Sequence, residues 1–439
     1  MGKCVGGSMA GRDPCKETRA AAEVLVIRYL SSGQTSLQPL PRMSAPDGSA
    51  SSFQGPLPDT ADVVVVGGGI AGTSAAHHLA AAGVDVLLLE ADTIGGGATA
   101  AAVGVVSPPL RQPFHETVHF RGEEEARSIW EFALRSVSGL GRLLEERGEA
   151  DEAGLDLSGG YLLAEPHTRH EVERSHQALE EAGLPVSWLT AEEVRERVGA
   201  RGLTGASFLE GGGALRPGAT AACLARSASE AGAEVLEGVK VEATGRRAGS
   251  LVCETSAGEV RAEMVVYATH VGSRRFSDFL GDEIVPIRGQ GLRVRDAGAQ
   301  EFPGSYATHW KMNVWRRDPD SGELHLGGWR HDAWDRSYWK MQPKLDQPLQ
   351  ADLGEWFEST FPSTAPVEVM DRWSGIFGWT ADYLPLVGPL PGRMGELVIS
   401  GFSGGGLPFA FESGRVIASI VTGGDEVPGG ALLNPRRFT

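Results

Sequence analysis

The chain has 439 residues, 41% of them hydrophobic and 22% charged, with a formal net charge of −17. That length allows two packed domains or one large one with a sizeable core, while no apolar run reaches the ~20 residues of a bilayer span. The acidic balance argues against nucleic acid or an anionic membrane surface as partner.

The first 60 residues are rich in Gly, Ser and Pro, and show little periodicity outside Ala20–Leu30. They read as a disordered leader, or as an over-long start with Met43 as the true initiator. The segment AAAEVLVIRYL is broken by Glu23 and Arg28, which makes a poor secretory core, and Asp13, Glu17 and Glu23 weigh against an organelle transit peptide. The four cysteines (Cys4, Cys15, Cys223, Cys253) form no CxxC pair and no Cys/His cluster of zinc spacing. A metal site is therefore unsupported, and a reducing, cytoplasmic compartment is expected.

A buried strand, Val63–Val66, then runs into Gly67-x-Gly69-x-x-Gly72. A small-residue helix is predicted from about Ile70 to Ala82, ended by Gly83, and a second buried strand, Val84–Leu89, delivers Glu90. Gly67 permits the tight turn, Gly69 lets a pyrophosphate approach the backbone, and Gly72 lets helix and strand pack closely. The helix start, with Ile70 and Ala71, offers amides and a positive dipole end to phosphates. Glu90, followed by Ala91, is placed to accept hydrogen bonds from a ribose, and its charge argues against NADP. The unit predicts an adenine dinucleotide, NAD or FAD.

After Glu90 comes a second small-residue segment, ADTIGGGATAAAVGVVSP, whose backbone around Ala98 and Thr99 could lie against a flat ring. A long surface helix is predicted over Glu123–Gly148, with Ala126, Ile129, Trp130, Ala133 and Leu134 as its apolar stripe. GGYLLAE reads as a strand, two amphipathic helices follow (about His167–Ala182 and Ala191–Val198), and ASFLE is another strand. A helix over Pro217–Gly232 leads into strands within EVLEGVKVEATG and GSLVCETSAGEVRAEMVVYAT, and residues 286–330 hold several more strand-like runs. Eight of the ten tryptophans lie between Trp310 and Trp379, either as a core of large side chains or as an aromatic cavity wall.

At the far end, the strand ELVISGF opens into Gly404-Gly405-Gly406-Leu407 and a helix, PFAFESGRVIASIVTG. Such a loop can aim amides and a helix dipole at the flavin N1–C2=O edge, which turns anionic on reduction. An NAD enzyme has no need of it, so FAD is the expected cofactor. Upstream lies WSGIFGWTADYLPLVG, residues 373–388.

Together these motifs resemble the FAD-dependent D-amino-acid oxidase, glycine oxidase and sarcosine oxidase superfamily, over nearly everything after the leader. The resemblance rests on the fingerprint, the EVLEGVKV and MVVYAT strands, PIRGQ at 286–290, LHLGG at 324–328 and the two C-terminal motifs. It implies an α/β fold in which a Rossmann-like FAD-binding domain is interleaved with an antiparallel-sheet α+β substrate domain. The first is expected over 61–150, 211–280 and 370–439, and the second over 151–210 and 281–369. It also places Val241, Ala268 and Thr269 beside the adenosine, and Gly375 beside the flavin. The implied chemistry is removal of hydride from a carbon bearing an amine, with the flavin reoxidised by O₂ or another acceptor.

The departures from the family pattern concern the substrate. Glycine oxidase relatives carry a carboxylate-clamping Arg where this chain has Phe377, and sarcosine oxidases a Lys where it has Pro408. A bidentate guanidinium clamp is not replaced by a benzene ring. The WSGIFGWTADYLPLVG pattern looks closer to the gamma-glutamylputrescine oxidase branch, whose members oxidise a primary amine. The expected substrate is a small-molecule amine without the usual clamped carboxylate, against a cavity wall of Phe377 and Trp379. An amino-acid or N-methyl-amino-acid oxidase with a relocated anchor, Arg111 or Arg288, is the alternative, and a flavoprotein binding subunit without turnover is a third. Gly375 stands where some relatives have a flavin-linking Cys, and Ala98–Val103 contains no His, so FAD is expected to be non-covalent. His325, where relatives place an oxygen-activating Lys, is a candidate for a protonated imidazole near the flavin. Lys311 and Arg111 are further catalytic candidates. The oligomeric state is left open.

Overall fold

Two eight-stranded sheets organise the chain in a computed structural model, which describes residues 53–107, 112–295, 303–308, 312–328, 334–361 and 367–439. The expected leader lies almost wholly outside the described residues. In chain order the strands are β1 (Thr60–Val66), β2 (Val86–Leu89), β3 (Gly160–Ala164), β4 (Val186–Thr190), β5 (Gly205–Leu209) and β6 (Glu234–Leu236). They continue with β7 (Val241–Arg247), β8 (Ser250–Thr255), β9 (Gly258–Tyr267), β10 (Val285–Arg295) and β11 (Ser305–Thr308). The last are β12 (Asn313–Arg317), β13 (Leu324–Gly327), β14 (Glu368–Trp379), β15 (Leu386–Pro389) and β16 (Glu396–Ser400).

The first sheet has the order β15-β16-β9-β1-β2-β6, extended by β8 on β9 and β7 on β8. Five of its strands (β16, β9, β1, β2, β6) are mutually parallel, with Val64 opposite both Leu87 and Val265. Parallel strands are covered on both faces, which is why VVVV and VLLL are unbroken apolar runs rather than alternating ones. Helices Ile70–Ala81, Pro217–Glu230 and Gly406–Thr422 share one apolar core on this sheet. The first and third approach very closely: Ser74 Oγ donates to the Phe411 carbonyl at 3.2 Å, and a Cβ on Gly414 would lie 2.5 Å from Ser74.

The second sheet runs β14-β10-β13-β12-β11-β3-β5-β4 and is antiparallel except for the parallel pair β11–β3. Leu292, Val294, Tyr306, Trp315 and Leu326 line one face, against Leu353, Trp356 and Phe357 of the helix Gln347–Thr360. Trp315 and Trp356 are therefore core side chains rather than a cavity wall. That helix, the short ones at Phe114–Arg121 and Asp278–Glu283, and strand β4 are additions to the expected elements. The helix Gln347–Thr360 did carry a local signal: Asp346 caps it by accepting from the Leu349 amide, with Pro348 in its first turn.

The expected domain boundary at residue 370 falls within strand β14. Strand β14 pairs with β10 from Glu368 to Trp379, so the chain leaves the second sheet only after Trp379. Cys223 and Cys253 are buried and free, and burial pushes both thiols up to about 12, which fits packing residues rather than reactive ones. No helix among the described residues is long and apolar enough to cross a membrane.

Candidate functional site

Because β1, β2, β9 and β16 are parallel, their C-terminal ends open on one edge of the sheet, where ligands of open α/β folds collect. That edge carries the Gly67–Gly72 turn after β1, Glu90 after β2, Ala268–Thr269 after β9 and the glycine loop after β16. Gly67 has φ +107°, and a Cβ there would meet the Ala268 carbonyl at 2.8 Å and Thr269 Cγ2 at 3.2 Å. A Cβ on Gly72 would sit 1.8 Å from the Gly67 carbonyl oxygen. The turn is thus built flush against the end of β9.

Glu90 accepts from the Gly68 amide at 2.6 Å and from the Asp92 amide at 2.8 Å. Burial raises its pKa against these two bonds. Val239 donates its amide to the Glu90 carbonyl at 2.9 Å, which brings the segment leading to Val241 alongside. The Ile70 amide is taken by Thr99 Oγ1 at 3.1 Å. The amides of Ala71 and Gly72 come before the first intrahelical bond, Thr73 N–H to the Gly69 carbonyl.

From Thr99 the chain forms a strap across the second sheet. Trp373 Nε1 donates to the Ala101 carbonyl at 3.0 Å, and Arg316 Nε to the Val103 carbonyl at 2.7 Å. Ser107 Oγ then meets Ser305 Oγ at 2.7 Å and the Gly213 amide at 3.2 Å. The sheet is hollowed to receive the strap by glycines in register, Gly289 opposite Gly375 and Gly291 opposite Gly327. A Cβ on Gly375 would meet Ala101 Cβ at 2.6 Å, and one on Gly327 would meet Val103 at 2.7 Å.

The glycine loop docks on the end of β14. The Ser403 amide donates to the Gly378 carbonyl at 2.9 Å, and the Thr380 amide to Ser403 Oγ at 3.2 Å. Gly404 adopts φ +85°, Gly405 caps the helix, and Gly406 and Leu407 form its first turn. Phe377 is half-buried and Trp379 buried, their ring centroids 6.2 Å apart, and Tyr338 and Tyr383 both pack edge-on against Trp379. Thr380, Ser403, Tyr383, Arg316 and Trp373 are parts of this site that sequence reasoning missed.

Of the charged candidates, Lys311 and Arg111 lie outside the described residues. Arg288 alternates away from Phe377 and Gly375 along β10, donates to the Arg336 carbonyl at 2.8 Å and faces Asp346 at 3.6 Å. His325 shares the strap-bearing face, opposite Arg293 and Arg316, with its ring 6.1 Å from that of Trp373. Burial first, then the Arg316 charge, lower its pKa to about 3, which favours a neutral imidazole over the protonated one expected from sequence.

This has a measurable consequence. Unfolded histidine takes a proton below its ordinary 6.5, whereas folded His325 refuses one until about 3. Stability is therefore full above 6.5 and declines as pH falls through that window. Between pH 6.5 and about pH 5, His325 alone should remove about 2 kcal/mol, at about 1.4 kcal/mol per unit. Burial lowers His78 to about 3 and His270 to about 4, adding to the same trend. Urea unfolding at several pH values checks this. A flat profile from pH 7 to 5 would mean that the imidazoles are not held neutral.

A separate cavity lies under the helix Arg169–Glu181, lined by Ser107, Trp130, Leu162, Ser175, Ser207 and Ser305 among others. It touches none of the fingerprint or glycine-loop residues.

The site fits FAD. The Gly67–Gly72 turn is packed where Cβ atoms would clash, the Gly404–Gly406 loop carries no side chains, and two helix starts present amides at one sheet edge. Gly375 and the strap offer no thiol or imidazole for a covalent link.

Comparison with known proteins agrees. The family described as FAD dependent oxidoreductase matches residues 62–420. Glycine oxidase of Geobacillus kaustophilus (strain HTA426) is 28% identical over 346 residues, 76% of this chain and 86% of that protein. Gamma-glutamylputrescine oxidoreductase of Escherichia coli (strain K12) is 26% identical over 392 residues, 84% of this chain and 85% of the relative. The crystal structure of glycine oxidase from Geobacillus kaustophilus superposes with a TM-score of 0.73 at 24% identity, covering 86% of this chain and 98% of that one.

Proposed function

Since the chain belongs to the FAD dependent oxidoreductase family, we propose that it oxidises the carbon–nitrogen bond of a small amine that lacks a clamped α-carboxylate. FAD, held non-covalently by the Gly67–Gly72 turn, Glu90 and the Gly404–Leu407 loop, supplies the two-electron acceptor. The protein's own share is orientation and exclusion of water. Phe377 and Trp379 form an aromatic wall that accepts the apolar body of the amine and, by cation–π attraction, its protonated form on entry. His325, neutral and buried, adds no cation to that face. The product imine leaves to hydrolyse to an aldehyde and ammonia.

Among the described residues, one observation supports the reading without a clamp. Phe377 fills the position beside Trp379, while the neighbouring Arg288 is turned to the other face and engaged by Asp346. The domain division belongs to this reading, with the cofactor domain over 61–150, 211–280 and from 380 onward, and the substrate domain over 151–210 and 281–379. So does a cytoplasmic setting, suggested by the sparse cysteines.

The test is an anaerobic screen of amines and amino acids that follows flavin bleaching at ~450 nm. Amines without an α-carboxylate should bleach the flavin. Bleaching by D-alanine, sarcosine or glycine, and by no simple amine, would overturn the proposal. So would a flavin reduced by dithionite and by no substrate.

A further inference from the structure

Asp382, in the turn between β14 and β15, is gripped by two arginines from distant parts of the chain. Arg437, in the 3-10 turn Pro435–Phe438, binds it through two forked bonds: Nε to Oδ2 at 2.8 Å and a terminal nitrogen to Oδ1 at 3.1 Å. Arg121, at the end of the helix Phe114–Arg121, reaches the same Oδ2 at 2.9 Å. Arg437 also donates to the carbonyls of Leu433 at 2.7 Å and Leu384 at 2.8 Å. Burial alone would raise the Asp382 carboxyl, but the Arg437 bonds and charge, helped by Arg121, hold it below the usual carboxylate range.

The turn that this carboxylate closes leads to the glycine loop. Asp382 Oδ1 accepts the Leu384 amide at 3.1 Å, closing a turn in which Tyr383 is held at φ +64°. A tyrosine in the left-handed region costs on the order of 1–3 kcal/mol unless its surroundings hold it there. In the same turn Thr380 Oγ1 donates to the Leu384 carbonyl at 2.8 Å, while its amide reaches Ser403 Oγ at 3.2 Å. Ser403, itself at φ +51°, begins the run Gly404–Gly406.

We propose that Arg437 is a positioning residue for the flavin: through Asp382 it sets the 380–384 turn, and through Thr380 and Ser403 the glycine loop. Arg121 is its partner on the other side of the carboxylate. The assignment rests on the reading of that loop as the FAD-binding edge. Loop amides held in place stabilise the negative charge that appears at the N1–C2=O edge on reduction. Loosening them weakens the grip on reduced flavin more than on oxidised flavin.

The FAD-loaded full chain provides the test. Arg437→Gln should raise the FAD dissociation constant about tenfold. If reduced FAD loses a further tenfold, the midpoint potential falls by about 30 mV for two electrons. Asp382→Asn should act alike, and the double variant should add little, because the two residues act as one unit. Arg437→Lys, with charge but no fork, should recover only part of both effects. The same Arg437→Lys variant serves as the readout if the Gln variant does not fold, and Arg436→Gln, beside it in the chain, should change neither quantity. A lowered melting temperature with unchanged FAD affinity and potential would make Arg437 merely structural and overturn the proposal. Wild-type protein that binds no FAD would instead remove the functional reading on which it stands.

Discussion

Replacing Gly72 with alanine leaves the protein unable to retain FAD. The added methyl would stand 1.8 Å from the Gly67 carbonyl oxygen, 3.0 Å from its carbon and 3.2 Å from Ala268 Cβ. The first two are backbone atoms of the turn that must lie against the pyrophosphate, so no side-chain rotation relieves them. The helix would have to lift from β1, but Gly414 and Ser74 already press it against the helix Gly406–Thr422. Overpacking an ordinary core position costs about 1–3 kcal/mol, and a fixed backbone contact this short belongs above that range. We expect FAD affinity to fall by more than about a hundredfold and the variant to purify colourless. Gly83→Ala is the control. Nothing lies within 4 Å of its new methyl, and only its φ of +80° is unfavourable, at about 1 kcal/mol. It should keep its flavin, and a yellow, stoichiometric Gly72→Ala protein would contradict the reading of the turn.

Asp318→Asn is the second severe change. Asp318 accepts two bonds of 2.8 Å from Arg216 and one of 3.3 Å from Arg316, and also holds the Ser321 amide. Arg216 keeps Asp320 at 2.6 Å when the charge is removed. Arg316 is 1% exposed and loses the charge of a carboxylate partner, and breaking a buried pair of this kind costs about 3–5 kcal/mol. Its bond to the Val103 carbonyl ties this network to the strap. The Arg216 bonds and both arginine charges overcome burial and hold the Asp318 carboxyl far below its ordinary value. Its contribution is thus present above the unfolded pKa of about 4 and is lost progressively as pH falls below it. Denaturant unfolding at neutral pH should show the full deficit. A loss under about 1 kcal/mol, the worth of an exposed pair, would mean that the triad is solvated.

The cofactor half of the site was legible because its demands are local. Gly67, Gly69, Gly72 and Glu90 fall within one strand–helix–strand unit, and each is dictated by contacts inside it or with the next parallel strand. The glycine loop was legible for the same reason. Pairings over long chain distances were not. Arg316 reaches Val103, and Arg121 and Arg437 converge on Asp382, across 213, 261 and 55 positions. No periodicity encodes which arginine meets which carbonyl. The lowered pKa of His325 was hidden likewise, because it depends first on the burial of β13 and then on its register with Arg316 of β12. Strand β14 looks in sequence like a motif of the cofactor domain, because its apolar pattern is broken by Asp371, Arg372 and two glycines. Gly375 makes sense only once the strap lies across it, and Gly378 only once Ile284 packs against the other face.

The parallel order β16-β9-β1-β2 also dictates when the cradle can exist in a growing chain. Val64 must wait for Val265, and β9 in turn for Val398 opposite Tyr267. At about 5–20 residues per second, the roughly 340 residues from Gly67 to Gly406 take about 20–70 s to emerge from a ribosome. For the first part of that interval β1 holds an open parallel edge, until β9 emerges, and β9 then holds one until β16 does. High contact order of this kind slows folding, and an unpaired apolar edge invites aggregation. The complete cradle, made of the turn after β1 and the loop after β16, can therefore form only once nearly the whole chain has been synthesised.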